Sequence, residues 1–319
     1  MTSATSTRLP GQRGDSTPRL ARPGRRRRVR RPNWPLFAFA FPALALYLVF
    51  FIFPTLQAFQ FATSNWDGTS DTYDVVGAKN FVNLLTNDDR FVSALTNNLK
   101  FLLVVVAFQS VFALLFAMFL VKNTRTSILL RALYFFPTVL SSVAVGFIWS
   151  FVYNSPDGLL NQTLRVIGLG GLQQAWLGSP QWTIVFVGFA QVWAHTGQML
   201  VVFVAGLQQI PRELYEAAET DGASRWARFR YVTWPMVAPA TAIVVAYTTV
   251  QSFKAFDIIG ALTSFDDFKT QILTTQIYLT AFQNARFGYA AAESILLVLL
   301  IVVITWTQRR LVRASRVEE

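Results

Sequence analysis

Cysteine is absent from all 319 residues, so disulfides, zinc–thiolate centres, iron–sulfur clusters and thiol nucleophiles are excluded. A single histidine, His195, excludes HExxH and every multi-histidine metal site. No GxSxG accompanies it, so a hydrolase triad has no nucleophile elbow. No GxxxxGK[ST] occurs either, and the chain has no P-loop with which to hydrolyse ATP. Charge is scarce: 14% of residues are charged, against about 25% in soluble domains. Apolar residues are abundant at 53%, and mean hydropathy is +0.39. These proportions exclude an ordinary soluble domain and describe a chain that meets lipid.

The charge that exists is unevenly placed. Of the net +11, residues 1–33 hold ten arginines and one acid, Asp15, a net of +9, which leaves +2 for the other 286 residues. That arm is rich in Arg, Pro, Ser, Thr and Gly, and is expected to be a disordered basic arm. It is too long and too proline-rich for a signal-peptide n-region, and no A-x-A site follows. No aromatic residues are interleaved with the arginines, so the charge reads as a topology anchor with affinity for anionic lipid, not as a nucleic-acid site.

Apolar runs of about 20 residues predict helices that cross a bilayer. Six are expected, over 36–61, 91–121, 129–152, 182–205, 236–262 and 289–306, with Pro42 and Pro54 as kink points in the first. An even number places both termini on one side. The first connection carries Asp67, Asp71, Asp74, Asp88 and Asp89 against Lys79 and Arg90. The second carries Lys122, Arg125 and Arg131 without an acid, and the C-terminal tail carries Arg309, Arg310, Arg313 and Arg316. The positive-inside rule therefore puts both termini in the cytoplasm. The expected organisation is an arm over 1–33, a transmembrane domain over 34–312 and a tail over 313–319.

The fourth connection, 206–236, is unlike an ordinary loop. Pro211 suits the first turn of a helix, and Glu213 and Glu216 lie near that N-terminus, where the dipole favours anions. Gly222 suits a left-handed C-terminal cap, and Ser224 can cap a second short helix. Trp226, Phe229 and Val232 recur every third residue as one apolar stripe, with Arg225 and Arg228 off it. Pro235 is expected to stop that helix. The alternative is an interfacial helix resting on lipid, against which the acidic first helix argues.

The run Glu216-Ala217-Ala218, three residues, Gly222, nine residues, Val232-x-Trp234-Pro235 resembles the EAA-x3-G-x9-I-x-L-P signature of permease subunits in binding-protein-dependent ABC importers. Further stretches resemble the carbohydrate-uptake branch of that family, of the maltose and glycerol-3-phosphate first-permease type. They include Gly77-x-x-Asn80-Phe81-x-x-Leu84, Phe91-x-x-Ala94-Leu95-x-Asn97, Gly158 to Asn161, Trp176-Leu177-Gly178 and Phe287-Gly288-Tyr289. The resemblance covers about residues 34–312. The chain departs from the branch at 263–270, where no Gly-Gly-Pro turn occurs, and at Glu293, where small neutral residues are usual.

The resemblance implies an all-α membrane protein of the type I ABC importer permease fold, multi-pass in the cytoplasmic (inner) membrane of a bacterium or archaeon. It implies a second permease, two ATPase subunits that bind ATP and Mg, and an extracytoplasmic sugar-binding protein, with no cofactor, metal or catalytic residue in this chain. Glu216, Ala217, Ala218 and Gly222 match the coupling motif. Asp221, Ala223, Arg225, Phe229 and Pro235 belong to the docking surface expected around it. By register from that anchor, Gln191, His195 and Gln198 of the fourth helix share one face, and Thr248, Gln251, Ser252 and Ala255 of the fifth share another. These six polar side chains are the candidate sugar pathway, because lipid would leave such groups unsatisfied and sugar hydroxyls need both donors and acceptors. Interhelical hydrogen bonding is the competing role. Lys254, Asp257 and Glu293 are candidates for an outer gate, the first two spaced as an i, i+3 pair. The substrate expected is a disaccharide or short oligosaccharide, with glycerol-3-phosphate or a polyol as alternatives. A rival class is an ion-coupled secondary transporter using Glu293, Asp257 and His195 as a relay, although no inverted repeat is apparent in the sequence.

Overall fold

The computed structural model describes residues 34–317 apart from Pro180, Ser264, Asp266, Phe268 and Lys269. The arginine arm lies outside the described residues. No strand occurs among them beyond an isolated antiparallel bridge between Ser64 and Val75. The chain divides into two units, Met1–Phe51 and Ile52–Glu319.

The first unit contributes α1 (Trp34–Tyr47) and the start of a π turn, Leu48–Ile52. Pro42 sits inside α1, and the helix irregularity falls at the π turn instead. The missing amide of Pro54 removes the bond to residue 50, inside that turn, which accounts for its position. Phe39, Phe41, Leu44 and Leu46 of α1 are exposed, an apolar surface suited to lipid or protein and not to water.

The second unit opens with α2 (Phe53–Ala62) and α3 (Lys79–Thr86). Between them the Asp67 carboxylate accepts bonds from the Ser70 hydroxyl (2.7 Å) and from the Ser70 and Thr69 amides (2.8 and 2.9 Å). These bonds hold its carboxyl well below the usual carboxylate range. The long helix α4 (Asp89–Leu120) is capped by Asp88, which accepts from the Phe91 amide at 2.9 Å. At its other end Arg131 caps the helix, donating to the carbonyls of Leu120 (2.8 and 2.5 Å) and Lys122 (2.9 Å).

The span expected over 129–152 is not one helix. It is α5 (Arg125–Phe135), a 3₁₀ turn over Phe136–Val139 and α6 (Ser142–Tyr153), bent by 100°. Pro137 cannot extend α5, and Ser141 starts α6 by accepting from the Ala144 amide at 3.2 Å. After α7 (Leu159–Val166), α8 (Thr183–Gln208) packs along α4. Small residues allow that approach, as membrane helix packing requires. A Cβ on Gly188 would stand 2.9 Å from Val104 Cγ1 of α4; Gly206 approaches a different helix, where a Cβ would stand 2.6 Å from Ala240 Cβ.

Helices α9 (Arg212–Thr220) and α10 (Arg225–Arg228) form the distinctive loop. A π turn over Phe229–Thr233 leads without interruption into α11 (Trp234–Phe253). Pro235 therefore does not stop a helix: it lies in the first turn of α11, where a missing N–H is tolerated, and the π turn absorbs the lost bond. The helix expected over 236–262 ends at Phe253, and α12 (Asp257–Leu262) packs separately on α6. Then come α13 (Leu273–Tyr278), a π turn over Leu279–Gln283 and α14 (Phe287–Val317), which packs on α2 and α11. The backbone of the expected tail is thus helical to Val317.

Buried amides tie the bundle together through backbone carbonyls. Asn80 donates to Ala62 O (3.0 Å) and Ser64 O (2.8 Å), and Asn97 to Gln271 O (3.0 Å). Asn161 donates to Gln174 O at 3.1 Å and accepts from Trp176 Nε1 at 2.9 Å. In an apolar surrounding each satisfied carbonyl avoids the cost of a buried unpaired group.

Candidate functional site

The loop between α8 and α11 consists of two short helices joined at a glycine bend. Gly222 has φ +74°, in the left-handed region where a side chain is strained. The Gly222 amide donates to Glu219 O (3.0 Å) and the Ala223 amide to Ala218 O (2.9 Å), closing the end of α9. Ser224 then caps α10, accepting from the Ala227 amide at 3.2 Å. Pro211 precedes α9 as its N-cap residue and not as its first helical one. Arg228 pairs with Glu219 at 3.4 Å across the bend, and Tyr215 shares a 2.9 Å hydrogen bond with Thr233. Glu216, Ala217, Asp221 and Gly222 are exposed, and Ala218, Ala223, Phe229 and Pro235 half-buried.

Of the stripe expected of Trp226, Phe229 and Val232, the Trp226 and Phe229 rings pack together with centroids 5.5 Å apart, and Val232 packs on the core. Trp226 is 70% exposed, while Phe229 and Val232 are half-buried. Arg225, Arg228 and Phe229 together line a cavity of about 1080 Å³ against Lys122 and the ends of α4 and α8.

A second cleft, of about 240 Å³, lies between α8 and the end of α11. Gln191 and His195 reach it at i and i+4 on α8, and Tyr247 and Gln251 at i and i+4 on α11, with Lys254 just past the end of that helix. Ser142 and Asp257 complete its polar lining. His195 Nδ1 lies 3.2 Å from Gln191 O, which can only accept, so in the neutral ring Nδ1 carries the proton and Nε2 is an acceptor. Gln251 Oε1 is buried without a hydrogen-bond partner among the described residues.

The other candidate pathway residues lie elsewhere. Gln198 Nε2 donates to the Tyr247 hydroxyl at 3.0 Å, joining α8 to α11. Thr248 and Ser252 are fully buried, and Ser252 Oγ donates back to Thr248 O at 2.8 Å. Ala255 is on the cleft. Sequence reasoning missed Ser142 and Tyr247. Tyr247 sits one turn from Gln251 and was legible by spacing, whereas Ser142 is exposed to the cleft only by the bend after α5.

The three candidate gate residues do not meet. Lys254 and Asp257 are exposed on the cleft and form no ion pair, since the helix breaks between them; the ion pairs among the described residues are Arg228–Glu219 and Arg165–Asp157. Glu293 is fully buried in α14, where its Oε1 accepts from Thr280 (3.3 Å) and Gln276 (3.5 Å). Gln276 and Thr280 face a different cavity, of about 520 Å³, with Asp88 and Arg286. His195, Asp257 and Glu293 are therefore not one relay.

Among the described residues no group of three or more His, Cys, Asp or Glu side chains is placed to hold a metal ion. Five helices are long and apolar enough to cross a membrane, and the bent pair Arg125–Val139 and Ser142–Tyr153 would make a sixth.

Residues 109–317 match the family described as binding-protein-dependent transport system inner membrane component. The lactose transport system permease protein LacF of Rhizobium radiobacter is 34% identical over 284 residues, 85% of this chain and 91% of that protein. The alpha-glucoside transport system permease protein AglF of Rhizobium meliloti is 32% identical over 290 residues, 88% and 83% of the two chains. In fold, the chain is similar to one from the crystal structure of a bacterial ABC transporter involved in import of the acidic polysaccharide alginate. The TM-score is 0.74 at 24% identity, covering 88% of this chain and 96% of that one.

Proposed function

The chain belongs to the family of inner membrane components of binding-protein-dependent transport systems, and from that premise we propose that it is one of two permease subunits of an ATP-driven importer of a disaccharide or short oligosaccharide. The relatives named for lactose and alpha-glucoside transport support a sugar. Counting the bent pair as one span gives six, and the basic second connection and basic C-terminal end support a reading in which both termini are cytoplasmic. Two ATPase subunits dock under the α9–α10 loop through Glu216, Ala217, Ala218, Asp221, Gly222, Ala223 and Arg225. A second permease completes the pathway, and an extracytoplasmic binding protein delivers the sugar. ATP and Mg are bound by the ATPase subunits.

The observation that carries the substrate class is the cleft at His195, midway along α8, with the unpartnered Gln251 Oε1 in its wall. Polar groups at that depth face protein or an aqueous path, because lipid leaves them unsatisfied. Gln191, His195, Gln251 and Tyr247 offer donors and acceptors in alternation, the chemistry that hydroxyls require. Lys254 and Asp257 stand at the outer end of the same cleft, where they contact the sugar as it enters. A phosphorylated substrate fits less well, since Lys254 is the sole fixed cation lining the cleft and Asp257 stands beside it.

The test is Gln251→Leu in the reconstituted transporter. Losing a buried hydrogen-bond partner costs about 1–3 kcal/mol, a roughly 5- to 150-fold fall in uptake. Binding-protein-stimulated ATPase activity should survive, because coupling runs through the separate loop. Unchanged uptake would remove Gln251 from the pathway, and loss of the assembled complex would make it interhelical glue.

A further inference from the structure

The cavity of about 1080 Å³ beside the α9–α10 loop shares Arg225 with the docking surface and otherwise has a chemistry that the proposed coupling does not use. Four cationic side chains line it, Lys122, Arg212, Arg225 and Arg228, and no carboxylate does. Of the four, Arg228 alone is in an ion pair among the described residues, with Glu219 outside the lining. Apolar side chains share the lining and form its apolar wall: Met118 and Val121 at the end of α4, Leu207 and Ile210 at and just past the end of α8. Two helices long enough to cross the membrane end at this wall, so the cavity lies at headgroup depth.

The cavity is built, not a gap between loose segments. Arg131 holds the Lys122 carbonyl at 2.9 Å and Asn123 Oδ1 at 3.1 Å. Gln208 Nε2 donates to Val121 O at 2.9 Å, joining the ends of α4 and α8. The Tyr215–Thr233 hydrogen bond fixes the far wall.

We propose that this cavity binds a phosphate-bearing anion, the headgroup of an anionic membrane phospholipid, with the phosphate among the four cations and the glycerol and upper acyl carbons on the apolar wall. Guanidinium groups bind phosphate oxygens in pairs, and basic pockets between membrane helices on the cytoplasmic side take such headgroups. The apolar wall favours a lipid over a soluble phosphate ester, which offers nothing to cover it. Lipid bound there would brace the bend at Gly222 against the span ends and make coupling sensitive to bilayer charge. This rests on the cytoplasmic placement of the loop proposed above.

The experiment uses the assembled transporter taken from phosphatidylcholine vesicles in which about a third of the lipid is phosphatidylglycerol. Native mass spectrometry reads the lipid retained. The transporter should retain phosphatidylglycerol over phosphatidylcholine, and Lys122→Gln with Arg212→Gln should lower that retention at least tenfold. Lys122→Arg with Arg212→Lys keeps the charge and should keep the lipid, which separates a binding defect from misfolding. Equal retention by the neutralised variant overturns the proposal. Displacement of the lipid by glycerol phosphate assigns the site to soluble phosphate esters and overturns the lipid source. Loss of the ATPase subunits with lipid still bound shows that the cations serve subunit docking, and also overturns it. Placement is checked separately by Thr126→Cys, the lone thiol in a cysteine-free chain. Its labelling by an impermeant maleimide from the outer side would sink the topology, and lost uptake with lipid retention intact would bear on the sugar reading alone.

Discussion

Gly222 is where one side chain would decide between two geometries. A Cβ there meets nothing within 4 Å, so a substitution fails by conformation and not by crowding. An L-residue held at φ +74° costs about 1–2 kcal/mol, enough to shift the bend between α9 and α10. Gly222→Ala should insert and assemble normally while transporting less sugar per ATP hydrolysed, as measured by uptake and ATPase activity in the same proteoliposomes. Wild-type coupling in that variant would remove the bend from the mechanism. Glu216 makes a complementary case. Its side chain is exposed and has no ion-pair partner among the described residues, which suits the docking role proposed for it. Glu216→Lys should leave the thermal stability of the isolated chain unchanged and weaken ATPase co-purification. A large loss of stability instead would give Glu216 an internal role.

At the scale of elements, hydropathy located the spans but not their breaks. The stretches over 91–121 and 182–205 became α4 and α8 within a few residues, because long apolar runs have few alternatives to a membrane helix. The 100° bend after α5 was hidden, since the apolar run continues through Pro137 from Leu133 to Leu140 without a charged residue. The end of α11 at Phe253 was hidden for the converse reason. Lys254 and Asp257 signalled a polar site, yet nothing in their spacing told a continuous helix from a broken one. The candidate pathway shows the same division. Periodicity brought Gln191, His195 and Gln251 to one cleft, while Thr248 and Ser252, on the adjoining face of α11, turned inward. The motif amides Asn80, Asn97 and Asn161 were legible as a family likeness only. Their work as clamps on distant carbonyls depends on contacts that sequence spacing does not encode. One element contact is tight enough to test directly. A Cβ on Gly197 would stand 1.9 Å from Tyr134 O, a backbone atom of α5 that cannot turn aside. Overpacking of this kind costs about 1–3 kcal/mol. Gly197→Ala should lower the melting temperature in detergent well below that of Gly171→Ala, where a Cβ meets nothing. Equal melting temperatures would show that α5 and α8 separate freely.

For the whole molecule, the decisive fact is a face that a single chain cannot leave to lipid. Lys254 and Asp257 are exposed on the cleft, and Gln251 and Tyr247 share its lining. Charged side chains in a membrane helix face a bundle interior or water, because burial in hydrocarbon costs several kcal/mol even on the lowest scales, about 2.5–3.5 for Lys or Asp at the centre. The second permease proposed above would cover this face, in keeping with the family to which the chain belongs. The chain also has no P-loop, so the energy for transport enters through another subunit. Lys254→Cys, in a chain with no other thiol, turns both points into one measurement. In the assembled transporter the thiol should be shielded from a bulky impermeant maleimide, and adding ATP with the binding protein should change its labelling rate. The same variant purified alone should label freely, ignore ATP and drive no ATP-dependent uptake in liposomes. ATP-dependent uptake by the chain alone would overturn its assignment as a subunit, and identical labelling with and without the partners would show that this face is not the one they cover.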